Sequence, residues 1–321
     1  MTHFVRTVLG DISPDELGFC YAHEHLIIDA SYTTAQTPDF LLDDVDLASS
    51  ELIEVKRLGA GALVDSMPMA CGRNVTKLAE ISRRSQLHIL CPTGLHLRKY
   101  YPPVHWCDRV GVEELAELFA REITLGIDTN DANGPERNAS AHRAGLIKIA
   151  SSLDAITPHE NKIFRAAAIA HKKTGAPILT HTEQGTFAME QIELLGSLGV
   201  DLRHVVLSHT DRRPDVAYHR SILRSGVRIE YDSAFRWKPG QGNPTRDLVL
   251  TLAPEFPDQI MLGMDAARRS YWKCHGGFPG MAFLIEQFVP ELRSAGVTDD
   301  LLHRIFFTTP ASAYQFKDIR S

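Results

Sequence analysis

A short apolar, β-branched run followed by a longer stretch of helical period recurs eight times along this chain. That alternation restricts the fold more than any other feature of the sequence. The apolar runs cover residues 19–25, 62–66, 88–93, 145–150, 177–181, 204–209, 227–231 and 260–264. The helical stretches cover 45–58, 74–86, 112–126, 158–174, 186–198, 214–225, 245–253 and 278–295. Several carry start and stop signals. Thr157-Pro158-x-Glu160 supplies a cap, a first-turn proline and an acid, and Gly175 follows the helix it opens. Glu113 and Glu114 open another helix, which Gly126 closes. Strands that are apolar throughout are buried on both faces, as in a parallel sheet covered by helices. Eight such units predict an α/β fold, a (β/α)8 TIM barrel forming a single domain over residues 1–321. An open doubly wound sheet is the rival architecture. Its dinucleotide-binding version lacks its fingerprint here, because no G-x-G-x-x-G follows the first strand.

Other properties narrow the function. The chain carries 34 basic and 40 acidic side chains, a net charge of -6, which argues against a sequence-independent nucleic-acid binder. Its longest apolar runs, such as 281–285, fall far short of the roughly 20 residues that span a bilayer. Residues 1–10 show no apolar leader segment, so the expected location is cytoplasmic. Five scattered cysteines without a C-x-x-C pair fit reduced thiols rather than disulfides or a thiolate zinc site.

In a (β/α)8 barrel the active site is built at the C-terminal ends of the strands, so polar residues there are the candidates. The first strand ends in His23-Glu24-His25. Alternation places the two imidazoles on one face, their roots about 6.6 Å apart from two rises of about 3.3 Å, a spacing that can share a metal ion. The fourth strand places Lys148 in the middle of an apolar run, where an unpaired ammonium is costly. Lys148 either snorkels to the barrel mouth or pairs with a carboxylate, or its amine has become a carbamate able to bridge two metals. The fifth, sixth and eighth strands end in His181, His209 and Asp265. Each alone reads as a structural residue. Four histidines, a lysine and an aspartate at five strand ends form a nitrogen and oxygen set that divalent metals accept.

This set, in this order, resembles the phosphotriesterase-like family of the amidohydrolase superfamily. Leu9-Gly10, Thr93-Gly94 and Tyr100-Tyr101-Pro102 add to the likeness. The resemblance implies two divalent metal ions, zinc foremost with manganese or cobalt also suited, and a homodimer. It assigns His23, His25 and Asp265 to the more buried ion, His181 and His209 to the more exposed one, and N6-carboxylated Lys148 to both. The implied chemistry is metal-dependent hydrolysis by a metal-bridging hydroxide, with Asp265 as catalytic proton acceptor or, on the plainer reading, as a ligand only.

Substrate is written in the loops. Phe235-Arg236-Trp237-Lys238 follows the seventh strand, and Arg268, Arg269 and Tyr271 follow the eighth, where barrel enzymes often hold phosphate. The arrangement resembles the branch of the family that opens phosphorylated sugar lactones. Arg268, Tyr271 and Lys238 are mapped onto the phosphate, with Arg236 and Tyr100 as further substrate contacts and Arg269 in reserve. The expected substrate is therefore a small anionic molecule. The alternative is a promiscuous lactonase or organophosphate hydrolase acting on neutral lactones or esters, with a solvated basic rim. A mononuclear deaminase, or a silent ligand-binding barrel, would need Lys148 or the ligand set to be idle. His96, His105 and Arg98 follow the third strand and are placed near substrate. His88 and His204 begin strands, away from the chemistry, and His142, His159, His171, His219 and His303 are expected at the surface.

Overall fold

Parallel pairing runs round the molecule strand by strand in this computed structural model, which describes residues 3–133, 137–238, 240 and 242–318. The strands are β1 (Phe19–Glu24), β2 (Ala60–Asp65), β3 in two pieces (His88–Leu90 and Pro92–Gly94), β4 (Leu146–Ser151), β5 (Ile178–Thr182), β6 (Val205–Ser208), β7 (Arg228–Tyr231) and β8 (Ile260–Leu262). β1 pairs with β2 and β2 with the first piece of β3, and the second piece pairs on through β4 to β8. The third strand is broken at Cys91, whose carbonyl accepts from Gly145 N at 2.9 Å. The ring closes where Met264 N and Asp265 N donate to His23 O, at 3.2 and 2.9 Å. Gly263 is required there, since a Cβ would come within 2.6 Å of His23 N. The result is the expected TIM barrel.

Cys20, Ala22, Ala62, Val64, Leu90, Leu146, Leu179, Val206 and Met261 fill the barrel's interior. Because strand side chains alternate, Lys148, His181 and Ser208, two residues beyond Leu146, Leu179 and Val206, rise into the next layer towards the mouth. A second, larger apolar layer lies between the sheet and the helices.

A short helix, α1 (Tyr32–Gln36), sits in the loop after β1. The outer helices are α2 (Val45–Arg57), α3 (Val75–Ser85), α4 (Val112–Thr124), α5 (Pro158–Thr174), α6 (Ala188–Ser197), α7 (Val216–Arg224) and α8 (Pro244–Leu252). The α5 cap forms as its sequence requires. Thr157 accepts from Glu160 N, Glu160 accepts from Thr157 N, and Gly175 closes the helix at φ 76. None of the described helices is long and apolar enough to cross a membrane, and the five cysteines are free thiols.

Three features depart from the sequence reading. The stretch 278–295 is helical only from Phe283: a wide π turn at Leu284–Phe288 runs without a break into α9 (Val289–Ser294). Its expected first turn is lost because Gly277, Phe278 and Gly280 donate to Trp272, Ser270 and Tyr271, and Met281 N to Glu51, tying the segment to the loop after β8. Two further helices, α10 (Asp299–His303) and α11 (Thr309–Ala313), and an N-terminal hairpin of Val5–Thr7 with Gly10–Ile12 had no clear signal. Finally, His171 and His219 are buried rather than at the surface. His171 Nδ1 is bonded to Ala176 O, and both ring nitrogens of His219 are satisfied, between Tyr231 Oη and Arg213 O.

Arg73 ties three elements beneath the barrel mouth. It is buried, bonded by Nη1 and Nη2 to Glu122 of α4 at 2.8 Å each, by Nε to Asp131 at 2.9 Å and by Nη1 to Pro92 O at 2.6 Å. Removing the cation leaves two buried carboxylates without their partner. Arg73→Ala is expected to cost about 3–5 kcal/mol, lowering the thermal midpoint by roughly 6–10 °C. An unchanged melting curve would show that the network contributes nothing.

Candidate active site

The six residues singled out at the strand ends converge. His23, His25, Lys148, His181, His209 and Asp265 all line one cavity of about 480 Å³. Neighbouring imidazole rings are close: 5.7 Å between the centroids of His23 and His25, 4.7 Å for His23 and His209, and 4.5 Å for His181 and His209. His25 Nε2 lies 3.3 Å and His23 Nε2 3.8 Å from the same Asp265 Oδ1. Two groups of donor atoms at these strand ends are compact enough to hold an ion, His23–His25–Asp265 and His23–His209–Asp232, each within 4.8 Å.

What backs these rings tests whether a metal fits. Metal-binding histidines characteristically have one nitrogen held by an outer carboxylate and the other left to the ion. His23 Nδ1 meets Glu230 and His181 Nε2 is 2.8 Å from Glu183, while His209 Nδ1 lies 2.6 Å from Asp232 but out of line for a hydrogen bond, that carboxylate accepting from His209 N instead. In each ring the opposite nitrogen carries no hydrogen bond among the described residues. His25 Nδ1 is buried without a partner as well. Desolvation lowers the pKa of His23 and His209 well below the usual value and that of His181 to about 4, so all three are neutral donors at pH 7. The donor set fits divalent cations. His209 and Asp265 also adopt left-handed backbone, φ 65 and 49, a strain of the kind found where side chains must be aimed.

Lys148 is 1% exposed, and its one hydrogen bond among the described residues is to Ser208 Oγ at 3.3 Å. Burial pulls its amine down to about 8, against the opposing pull of Glu230, Asp265 and Asp232. Asp265 is ionised throughout the ordinary range. Burial would raise its pKa, but Arg236, the His25 contact and Arg212 overcome this and hold it well below the usual carboxylate value. Arg212 donates to Asp265 Oδ2 at 2.7 Å, and Arg236 donates to the same oxygen at 3.0 Å and to the backbone oxygen at 2.6 Å.

The rim sorts the remaining candidates. Tyr100, Arg236, Arg268 and Tyr271 line the cavity, as does His96. Arg236 is occupied in holding Asp265 and Asp232 rather than free for substrate. Lys238 is exposed in the loop after β7 and is not among the lining residues. Arg269 points to the loop after β1, bonding Leu41 O and Asp43. His105 stacks near Tyr101 and Trp106, and Arg98 pairs with Asp108, so neither belongs to the cavity.

Four functional positions escaped the sequence reading: Glu230, Asp232, Glu183 and Arg212. Glu230 had a usable signal, being an ionisable residue inside an apolar run just as Lys148 is. Asp232 ends β7 in the same way that Asp265 follows β8. Glu183 and Arg212 lie two and three residues past strand-end histidines, with no pattern to mark them.

Comparison with known proteins agrees with the geometry. The model of the phosphotriesterase family matches residues 3–314. A phospho-furanose lactonase of Mycoplasmopsis agalactiae is 31% identical, over 99% of this chain and 93% of that protein. The crystal structure of an amidohydrolase from Mycoplasma synoviae superposes with a TM-score of 0.93 at 29% identity, covering 99% of this chain and 93% of that one. The Escherichia coli phosphotriesterase homology protein, solved with phosphate in its active site, superposes with a TM-score of 0.84 at 28% identity, covering 94% and 99%. With a barrel closed over carboxylate-backed imidazoles and a family match along nearly its whole length, this chain belongs to the phosphotriesterase family of metal-dependent hydrolases.

Proposed function

We propose that this hydrolase opens a phosphorylated sugar lactone. The observation that carries the reading is the contrast among the three arginines lining the cavity. Arg212 and Arg236 are bonded to Asp265, whereas the Arg268 guanidinium makes no hydrogen bond among the described residues and only a looser ion pair with Asp39 at 3.6 Å, so most of its fork is open to a substrate anion. Tyr271, edge-on to Phe235 at 4.9 Å, adds a neutral donor on the same wall. The relative named as a phospho-furanose lactonase, and the one holding phosphate in its active site, support the same substrate class.

His23, His25 and Asp265 would hold one divalent ion, His181 and His209 the other, and Lys148, as its carbamate, would join them. Bound there, such ions supply an acidified water and polarise the carbonyl under attack. The chain's own part begins with the anion: Arg268 and Tyr271 hold the phosphate and so fix the lactone carbonyl over the histidines. Tyr100 and His96, 4.4 Å apart, close another wall and exclude water. Asp265 accepts the attacking water's proton at Oδ2, one of its two arginine bonds there giving way, and returns it to the ring oxygen as the C–O bond breaks. Because Arg212 and Arg236 weaken Oδ2 as a base, the proton is passed on rather than retained. The product is a phosphorylated hydroxy acid.

Turnover against a library of phosphorylated and plain aldonolactones, read by acid release, tests the reading. Arg268→Ala should raise KM for phosphorylated lactones roughly 10–100-fold, the worth of a charge-assisted hydrogen bond, and leave plain lactones nearly unchanged. Equal losses on both, or best turnover on neutral acyl lactones or triesters, would favour a hydrolase of neutral substrates whose basic rim is merely solvated.

A further inference from the structure

Arg268 does not stand alone at the rim. The loop after β1 reaches across to it, and the turn Pro38–Phe40 sits against the loop after β8. Phe40 lines the cavity, and the Arg268 guanidinium lies over its ring, 4.6 Å from the centroid. The neighbouring residue, Asp39, places Oδ2 3.6 Å from Arg268 Nη1, near enough for attraction but beyond a hydrogen bond. Asp39 does not depend on Arg268 for its position. Ser270 N donates to Oδ1 at 3.0 Å and Ser270 Oγ to Oδ2 at 2.7 Å. Between Arg268 and Ser270, Arg269 bonds Leu41 O and Asp43, pinning the same loop. A fixed negative charge is thus presented to the one cavity arginine whose donors are open among the described residues.

We infer that Asp39 is a built-in anion that competes with the substrate's anionic group for Arg268 and so sets how strongly the site selects charged substrates. This rests on the phosphorylated-lactone reading and deepens it. Phe40 holds the plane of the guanidinium, Ser270 holds the carboxylate, and an incoming phosphate must share the cation with Asp39. Both side chains are about a third exposed, 35% for Asp39 and 38% for Arg268, so the competition is softened by water and by salt. Asp39 acts through Arg268 and needs no contact with the reacting atoms; it is a positioning residue for charge.

The experiment measures KM and kcat for a phosphorylated aldonolactone and for its unphosphorylated counterpart with the metal-loaded wild type, Asp39→Asn, Asp39→Glu, Arg268→Ala and the Asp39→Asn/Arg268→Ala double variant, at low and high salt. Asp39→Asn should lower KM for the phosphorylated substrate roughly three- to tenfold at low salt, as expected for removing one like charge a few ångströms away through solvent. kcat should stay level, the plain lactone should move less than twofold, and the gain should shrink at high salt. Asp39→Glu should stay near the wild type, and the double variant should match Arg268→Ala. A gain that persists without Arg268, a loss on both substrates, or Asp39→Glu behaving like Asp39→Asn would overturn the proposal. If Arg268→Ala fails to distinguish the two substrates, the phosphorylated-lactone reading itself falls, whatever Asp39 does.

Discussion

Lys148→Ala should lower kcat/KM on every substrate by about three orders of magnitude or more and reduce the metal bound per chain. The expectation follows from where the amine sits. Lys148 is buried at the centre of β4 among His23, His181 and His209, with Ser208 Oγ as its hydrogen-bonding partner. As an ammonium it repels any cation offered to those rings. As a carbamate it becomes a ligand: the neutral amine nitrogen bonds the carbon of carbon dioxide and loses a proton, leaving one negative charge shared by two oxygens. Alanine offers neither oxygen, so the two ligand groups lose the link between them, and a loss of roughly 4 kcal/mol in transition-state stabilisation corresponds to about a thousandfold. Unfolding is not the expected cause. Alanine relieves the cost of a buried amine, so the metal-free variant should melt no lower than the metal-free parent. Metal analysis beside kinetics decides the matter. One equivalent of metal per chain, with Lys148→Ala still turning over near-normally, would instead indicate a site working with a single ion.

How much of this could be read from sequence divides along a physical line. Barrel strands advertise themselves because both their faces are buried, which demands unbroken apolar runs. Helices advertise themselves by period and caps, and α5 begins and ends where Pro158 and Gly175 required. The exception at 278–295 arose because its backbone donors are claimed by the loop after β8, a tertiary demand invisible in local pattern. The same contrast runs through the site. His23, His25, Lys148, His181, His209 and Asp265 stand out as polar groups interrupting or ending apolar runs. Glu230 interrupts a run too, but it lies inside the strand rather than at its end, where a barrel's chemistry is expected. Arg212, Glu183 and Asp39 lie in loops, where polar residues are ordinary, and only coordinates reveal what each one faces. Lys238 illustrates the converse: its position beside a strand end and its charge are suggestive, yet it is exposed and not among the residues that line the cavity.

Asp265→Asn should lower kcat by about two to four orders of magnitude while KM changes little, the range that positioned proton transfer contributes. Asparagine is the informative replacement because residue 265 has φ 49, and Asn, like Asp, tolerates left-handed backbone where most side chains do not. The amide keeps the volume but loses two capacities at once. It cannot hold the transferred proton at Oδ2, and it cannot balance Arg212 and Arg236, which sit 2.7 and 3.0 Å from that atom. The second loss predicts a further signature. Arg212 keeps Asp232 at 3.6 Å and Arg236 keeps it at 3.7 Å, so both guanidiniums should draw towards that carboxylate and, through it, disturb His209, whose Nδ1 it contacts. The variant should therefore bind metal more weakly as well as turn over slowly. Arg212→Met separates the two effects. It leaves the Asp265 carboxylate and its proton transfer in place and removes one of its two anchors, so it should cost far less in kcat than Asp265→Asn, with the remaining loss falling on metal retention. If Asp265→Asn instead retained near-full kcat once saturated with metal, the carboxylate would be a ligand and nothing more, and the proton would have to leave by water.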